Sequence, residues 1–460
     1  MDINMVDEKK IELFENAPIP KAVAQLAIPT IIGSLVMVIY NLADTYFVGM
    51  LNDPVQNAAV TLAAPVLLAF NAVNNLFGVG SSSMMSRALG RKDMKTVYQS
   101  SAFGFYCSLV CGLFFSLMYT VLQQPFLVIL GSNEVTMEAT NEYLMWTVTL
   151  GAVPAILNVV LGYLVRAEGA AFHASVGTMS GCILNIILDP IFVLPWGLDM
   201  GAAGAGCATF LSNCFACLYF FVLLFVKRGK TCVCINPKML GVGKSVVFGV
   251  LAVGVPASIQ NLLNVTGMTI LNNFTAAFGS DAVAAMGIAQ KINMVPLYAA
   301  LGISQGIMPL ISYNYASKNV KRMKEGIFFT AKISVGLMIC VAAGYYFGAH
   351  TLVEMFMEHE QIIYYGSRFL HGMCLALPFL CMDFLSVGVF QSCGMGKESL
   401  IFAILRKIVL EIPALFILNL LFPLYGLAYA QLTAEVVLAV AAVIVLMRLL
   451  KKLEREQLTN

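Results

Sequence analysis

The sequence predicts an all-α integral membrane protein with twelve transmembrane helices in two parallel-repeat six-helix bundles (6+6). Three observations support this fold class: an apolar composition, twelve long apolar segments, and a repeat at half the chain length. The chain has 460 residues, of which 59% are hydrophobic and 11% are charged. Soluble domains are about 25% charged, so the composition excludes a soluble enzyme. The 27 basic and 25 acidic residues nearly balance, so the chain lacks the excess of positive charge that nucleic-acid-binding proteins carry.

Twelve apolar segments lie between turn signals, and each is long enough to cross the hydrocarbon core, which takes about 20 residues. They are predicted at 24–50, 59–86, 98–121, 142–166, 173–195, 203–226, 245–276, 283–312, 326–349, 367–391, 399–422 and 425–447. Residues 1–23 form a polar tail, and 448–460 form a second one. The first segment is much longer than a signal-peptide core, so we expect it to remain as an uncleaved anchor.

The distribution of lysine and arginine predicts the orientation in the membrane. If the N-terminus is cytoplasmic, 22 of the 27 basic residues fall in inner loops and tails. The outer loops carry acidic residues instead, with Arg368 at the edge of one. This is the positive-inside pattern, and it predicts that both termini are cytoplasmic.

A repeat relates the two halves of the chain. The loop SRALGRKDMK at 86–95 and the loop SYNYASKNVK at 312–321 follow the second and eighth predicted helices. Matched residues are Gly80 and Gly306, Ser86 and Ser312, Lys92 and Lys318, and Lys95 and Lys321, all 226 positions apart. Because each half has an even number of helices, the two halves are parallel repeats about an axis along the membrane normal. The predicted lobes are 24–226 and 245–447, with 227–244 as a cytoplasmic linker.

Acidic residues inside apolar segments are functional candidates, because a charge there costs at least about 2.5–3.5 kcal/mol on insertion scales. Asp44 lies in the first predicted helix within NLADTYFVG, and Asn41 stands one turn earlier on the same face. Asp189 lies in the fifth helix within LNIILDP, with Asn185 four residues before it. Pro190 interrupts the helical hydrogen bonds there and frees a carbonyl near the acid.

The sixth predicted helix adds Thr209 in GAGCATFLS, where small residues permit close packing. Carboxylate, amide and hydroxyl oxygens together suit a hard cation, whereas the same crowding at low dielectric favours a protonated carboxyl. The predicted cation-binding residues are Asp44, Asn41, Asn185, Asp189 and Thr209. Sodium and proton both remain open at this stage. The competing interpretation is that these groups only join helices to one another.

The second half carries its own charges within apolar segments. Lys407 and Glu411 stand four residues apart on one helix and are predicted to neutralise each other. Arg406 has no acid nearby in sequence, so it must face a lumen or an acid on another helix. Asp383 is a candidate cavity acid for substrate or cation, and Glu435 is either interfacial or paired.

Polar stripes within apolar helices indicate surfaces wetter than lipid. The predicted substrate-cavity residues are Met37, Tyr40, Asn71, Asn74, Gln260, Asn264 and Asp383. The four histidines are scattered, and most of the twelve cysteines lie inside apolar stretches, without further ligands nearby. We therefore expect no cofactor, and no metal ion other than Na+ at Asp44 and Asp189.

Five motifs together resemble the multidrug and toxic compound extrusion (MATE) family. They are NLADTYFVG, SRALGRKD, RAEG at 166–169, LNIILDP and PLISYNYASKN, and the resemblance covers nearly the whole chain. It implies a V-shaped transporter, sufficient as a monomer, whose bundles alternately open a central cleft. Such a protein exports amphipathic, often cationic drugs across the bilayer in exchange for sodium or protons. For this chain we expect the bacterial cytoplasmic membrane.

Three residues match the family's cation site in the N-terminal lobe: Asp44, Asn185 and Asp189, with Thr209 as the further candidate. Some branches of the family use a glutamate in helix 7, but residues 245–276 contain no Asp or Glu. The resemblance therefore places cation coupling in the N-terminal lobe, as in the bacterial DinF-like branch.

Four other classes of membrane protein compete with this interpretation. A lipid-linked oligosaccharide flippase of the same broad superfamily would need a basic cavity for a pyrophosphate, whereas the charges within the first six helices are acidic. A major-facilitator transporter shares the 6+6 layout but not the Asp–Pro signature of helix 5. An integral membrane enzyme would need a long loop or a His–acid pair, and neither is found. A passive channel would not need buried carboxylates for a coupled cycle.

Overall fold

The computed structural model describes residues 8–459. Over this range the chain is helical, and no β-strand occurs. Three stretches inside helices are π-helical: Asn74–Val79, Met145–Leu150 and Leu405–Glu411. The α-helices are α1 Glu8–Glu15, α2 Ile19–Gly49, α3 Pro54–Val73, α4 Gly80–Gly90, α5 Met94–Val121, α6 Gln123–Ile129, α7 Met137–Leu144, α8 Ala152–Ala167, α9 Ala171–Val193, α10 Gly201–Val226, α11 Lys244–Ala276, α12 Ser280–Ala316, α13 Val320–Glu354, α14 Glu360–Cys374, α15 Leu377–Ser392, α16 Gly396–Ile404, α17 Ile412–Leu421 and α18 Gly426–Thr459.

All twelve predicted spans are helical. Among the described residues, nine helices are long and apolar enough to cross a membrane, and counting two bent helix pairs as single spans gives eleven. The remaining predicted span, 399–422, is formed by α16, the π-helical stretch and α17. It differs from the other spans in carrying three charged residues near its middle, Arg406, Lys407 and Glu411. The protein is thus an all-helical, multi-pass membrane protein.

The described helices pack into two compact units. Unit 1 contains the residues up to Glu15 and Leu35–Ser258, and unit 2 contains Asn16–Ser34 and the chain from Ile259 onward. Two helices, α2 and α11, therefore begin in one unit and end in the other. The two units are defined by packing and not by where spans begin and end, so they do not test the predicted lobes. The lobe bounds of 24–226 and 245–447 stay a prediction.

The matched glycines mark equivalent close contacts in the two units. A Cβ atom at Gly80 would lie 2.4 Å from the carbonyl oxygen of Val250, within unit 1. A Cβ atom at Gly306 would lie 2.8 Å from the Cα of Ala27, within unit 2. Gly80 thus lets α4 approach the backbone of the first part of α11, in unit 1. Gly306 lets α12 approach the backbone of the first part of α2, in unit 2. The repeat is therefore present in the packing as well as in the sequence.

The predicted linker, 227–244, is fastened to unit 1 by side chains of α5 and of the end of α8. The carboxylate of Glu168 accepts hydrogen bonds from the Thr231 hydroxyl at 3.0 Å and the Cys232 amide at 2.5 Å. The Ser101 hydroxyl accepts from the Cys234 amide at 2.9 Å and donates to its carbonyl oxygen at 3.2 Å. Tyr106 and Gln99 on α5 donate to the carbonyl oxygens of Ile235 and Gly241, both at 2.8 Å. Side chains of α5 and Glu168 therefore hydrogen-bond to the linker backbone at Cys232, Cys234, Ile235 and Gly241.

Candidate cation site in unit 1

The centre of the site is a hydrogen-bonded chain of three side chains on α9 and α10. Asp189 and Asn185 are both 1% exposed, and their spacing of four residues places them on one face of α9. With the Asn185 amide oriented to satisfy its neighbours, its nitrogen donates to Asp189 Oδ2 at 2.7 Å. Its oxygen then accepts from the Thr209 hydroxyl at 3.1 Å. The amide thus links the carboxylate on α9 to the hydroxyl on α10.

Glycines explain why α9 and α10 approach closely enough for this chain. A Cβ atom at Gly204 on α10 would lie 2.5 Å from the carbonyl oxygen of Phe192 on α9. A Cβ atom at Gly181 on α9 would lie 3.0 Å from the carbonyl oxygen of Ser212. Pro190, inside α9, has no amide hydrogen and so leaves the carbonyl of Ile186 without its helical partner. The glycines therefore allow α9 and α10 to pack closely, and Pro190 leaves the Ile186 carbonyl free to accept a hydrogen bond one turn from Asp189.

Asp44 on α2 adds a second carboxylate to the site. It lies close enough to Asp189 for the two carboxylates to interact electrostatically. Its Oδ1 atom is buried and has no hydrogen-bond partner. Tyr40, one turn before Asp44, lies within hydrogen-bonding reach of Thr209. The site therefore combines two carboxylates, an amide and hydroxyl groups, with one buried oxygen left available to a cation or a proton.

Tyr143 on α7 belongs to the same group, and sequence reasoning missed it. It is 3% exposed and lies near both Asp44 and Asp189. Gly206 on α10 allows this position, because a Cβ atom there would lie 3.0 Å from the carbonyl oxygen of Tyr143. A tyrosine within an apolar segment is common, so the sequence offered no signal for it.

Asn41, also predicted as a cation-site residue, makes its side-chain hydrogen bond within α2. It is exposed on α2, and its amide nitrogen donates to the carbonyl oxygen of Met37 at 3.0 Å. Its role as a cation ligand stays a prediction.

The predicted substrate-cavity residues divide between the units. In unit 1, Met37 and Tyr40 are half-buried and Asn71 is exposed, while Asn74 is buried with an unpartnered Oδ1. The remaining three lie in unit 2: Gln260, Asn264 and Asp383. Gln260 accepts a hydrogen bond from Gln391 at 3.4 Å, and Asp383 is buried beside Arg406. Their contact with a substrate stays a prediction.

Two expectations for the charges of the second half are confirmed. The Lys407 ammonium donates to both carboxylate oxygens of Glu411, at 2.7 and 2.6 Å. Arg406 faces acids on other helices: Glu435 on α18 at 2.7 Å and Asp383 on α15 at 3.6 Å. Within residues 8–459, no group of three or more His, Cys, Asp or Glu side chains could hold a metal ion.

The family model for MatE matches residues 29–191 and 256–417. The two matches cover most of the chain and correspond to its two halves. This chain belongs to the MatE family. The 6+6 fold and the resemblance to this family are thus confirmed, while the DinF-like branch stays a prediction.

Individual relatives agree with the family assignment. The chain is 34% identical over 440 residues to multidrug export protein MepA of Staphylococcus aureus strain MRSA252, covering 95% of this chain and 96% of that protein. It is 33% identical over 449 residues to the protein of the same name from Staphylococcus haemolyticus, covering 97% of each.

Solved transporter structures share the fold over almost the full length. A MATE structure in complex with MaL6 matches with a TM-score of 0.91 and 27% identity, covering 97% of this chain and 99% of that one. A MOP superfamily transporter from Pyrococcus furiosus matches with a TM-score of 0.88 and 27% identity, again over 97% and 99% of the two chains. The reversed polarity of that transporter's binding pocket suggests a different function for it.

Proposed function

We propose that this protein is a secondary-active multidrug antiporter that exports amphipathic, cationic compounds in exchange for Na+ or H+. The observation that carries the proposal is the acidic site of half-buried Asp44 and buried Asp189, in which Asn185 links Asp189 to Thr209. An isolated buried carboxylate is costly in a membrane interior, and a visiting cation or proton offsets that cost. The names of the relatives support drugs as the exported compounds.

The coupling follows from differential binding. A ligand shifts a conformational equilibrium only by the difference in its affinity for the two states, so cation and drug must stabilise different states. One charge moving inward through 100 mV supplies about 2.3 kcal/mol, and a chemical gradient of the same ion adds to it. Binding of the cation at Asp44 and Asp189 would favour release of the drug outside.

We place the transporter in the bacterial cytoplasmic membrane, with both termini inside, and we propose that one chain is sufficient for transport. The excess of Lys and Arg in the assigned inner loops supports this orientation. A lipid-linked oligosaccharide flippase is the second candidate. It would need a basic site for its pyrophosphate, and the acidic residues of the unit 1 site argue against it. No cofactor is needed beyond the coupling ion.

Inside-out vesicles with sodium and proton gradients imposed separately test the proposal. We expect ethidium uptake, equivalent to export from the cell, to be driven by one of the two gradients and to collapse with it. Asp44→Asn and Asp189→Asn should each abolish the gradient-driven uptake. Uptake that persists without either gradient would contradict antiport and favour a passive pathway.

A further inference from the structure

Lys291 on α12 is a charged side chain that the proposed mechanism does not use. It lies within the predicted eighth span, 283–312, and the only other charged residue of α12 is Asp281, in its first turn. A charge within an apolar span is costly and is found where the helix faces a polar cavity or a partner of opposite charge. The sequence therefore calls for a group that compensates the Lys291 ammonium.

The protein itself does not neutralise this ammonium. Lys291 is exposed, and it forms neither an ion pair nor a hydrogen bond with any residue that the structure describes. Asp281 stands ten positions earlier, which is about 15 Å along the helix. Lys407 in the same unit is, by contrast, buried and paired with Glu411 at 2.6 Å. The Lys291 ammonium is therefore available to a group from outside the chain.

The surface around Lys291 is polar and open. The amide nitrogen of Gln290 donates to Asn272 Oδ1 on α11 at 3.1 Å, and this contact is exposed. Lipid tails offer no hydrogen bonds to such amides, so water or a polar ligand suits this surface better than hydrocarbon. Gly287, one turn before Lys291, keeps the surface open, because a Cβ atom there would meet nothing within 4 Å. A ligand can therefore reach the ammonium.

Lys332 on α13 shows the surroundings that lipid favours. It is also exposed within a predicted span, 326–349. Phe328 and Ile333 beside it are large apolar side chains that are 44% and 53% exposed, and that span contains no Asn or Gln. A lysine in such a place extends its ammonium to the headgroups. Of these two lysines, Lys291 is the one that lies beside exposed amides.

We propose that Lys291 binds the carboxylate of amphipathic compounds that carry one, zwitterions included, and so widens the range of drugs beyond simple cations. This rests on the proposed drug export and adds a class of substrate to it. An ammonium donates charge-assisted hydrogen bonds to a carboxylate. Val295, one turn further on the same face, is 40% exposed and offers apolar contact. A drug with no anionic group gains nothing from Lys291 and is repelled by its charge.

Two fluorescent dyes that differ in one group test the proposal. Rhodamine B is a zwitterion with a free carboxylate, and its ethyl ester is a cation in which that carboxylate is masked. Fluorescence anisotropy measures the Kd of each dye for the full chain in nanodiscs of zwitterionic lipid. Lys291→Gln should raise the Kd of rhodamine B about 3–10-fold, the effect of losing one partly solvated ionic contact. The same variant should not raise the Kd of the ester.

Two further variants separate carboxylate binding from a general effect of charge. Lys291→Arg keeps the positive charge and should keep most of the affinity for rhodamine B. Lys332→Gln removes the same charge from an apolar surface of the same unit and should change neither Kd. The proposal is overturned if rhodamine B does not bind the unsubstituted protein, if Lys291→Gln affects both dyes equally or neither, or if Lys332→Gln has the same effect. Because binding needs no ion gradient, this result is distinguishable from a failure of antiport in vesicles.

Discussion

Lys92 and Lys318 adopt the same left-handed backbone conformation, with φ angles of +58° and +59°. Each is followed by a side chain that caps the next helix. Asp93 accepts from the Thr96 amide at 3.1 Å, and Asn319 accepts from the Arg322 amide at 3.1 Å. Two loops 226 residues apart thus share both their backbone conformation and their capping. The internal repeat therefore extends to the turns between helices.

This conformation predicts different effects of two substitutions at Lys318. A left-handed conformation costs a residue with a Cβ atom about 1–2 kcal/mol, and a β-branched residue tolerates it least. Lys318→Gly should keep or raise the melting temperature of the protein in detergent, and Lys318→Val should lower it. Thermal unfolding followed by intrinsic fluorescence measures both. A valine variant as stable as the unsubstituted protein would contradict the strain at this turn.

Gly306 should tolerate no side chain. Gly306→Ala places a Cβ atom against the backbone of α2 at Ala27, and overpacking of this kind costs about 1–3 kcal/mol. Gly336→Ala on α13 is the matched control, because a Cβ atom there meets nothing within 4 Å and alanine favours helix by about 1 kcal/mol. The melting temperature should therefore fall in Gly306→Ala and rise in Gly336→Ala. Equal shifts would show that Gly306 is not a close-packing point.

Glu168 should hold the linker against proteolysis. Glu168→Ala removes the hydrogen bonds that the carboxylate accepts from the Cys232 amide and the Thr231 hydroxyl, and hydrogen bonds to charged groups contribute about 1.5–3 kcal/mol each. Trypsin should then cleave within 227–244 several-fold faster in nanodisc-reconstituted protein, as quantified by mass spectrometry. Glu168→Gln keeps an acceptor oxygen, so it should show a smaller increase. Unchanged cleavage in the alanine variant would mean that the other contacts hold the linker.

Thr209 should tune the cation site through Asn185. Thr209→Val keeps the volume but removes the hydroxyl that orients the amide, and losing such a supporting contact costs about 10–100-fold in ion affinity. The concentration of coupling ion that gives half-maximal transport should rise accordingly. Thr178→Val is the control, since that hydroxyl donates only within its own helix. An identical ion dependence in the Thr209 variant would exclude this role.

The parts of the fold that were predicted correctly rest on local or periodic signals. Apolar runs predict all twelve spans, and four-residue spacing predicts the Lys407–Glu411 pair. The Arg406 side chain could be predicted to need a distant acid, but its pairing with Glu435 depends on how α18 packs against the π-helical stretch Leu405–Glu411. Tyr143 joins Asp44 and Asp189 only through the packing of α7 on α10. The contacts that fasten the linker likewise involve residues up to 142 positions apart, which no local pattern reveals.

Counter-transport in proteoliposomes tests the central claim most directly. Purified protein is reconstituted, an ethidium gradient is imposed, and opposing movement of Na+ or H+ is recorded for the unsubstituted protein, Asp189→Asn and Asp199→Asn. Asp199 is an exposed loop residue of the same unit and serves as the matched control. We expect drug-driven movement of the ion in the unsubstituted and Asp199→Asn proteins, and none in Asp189→Asn. Ion movement at the unsubstituted rate in folded Asp189→Asn protein would contradict the assignment of the coupling site.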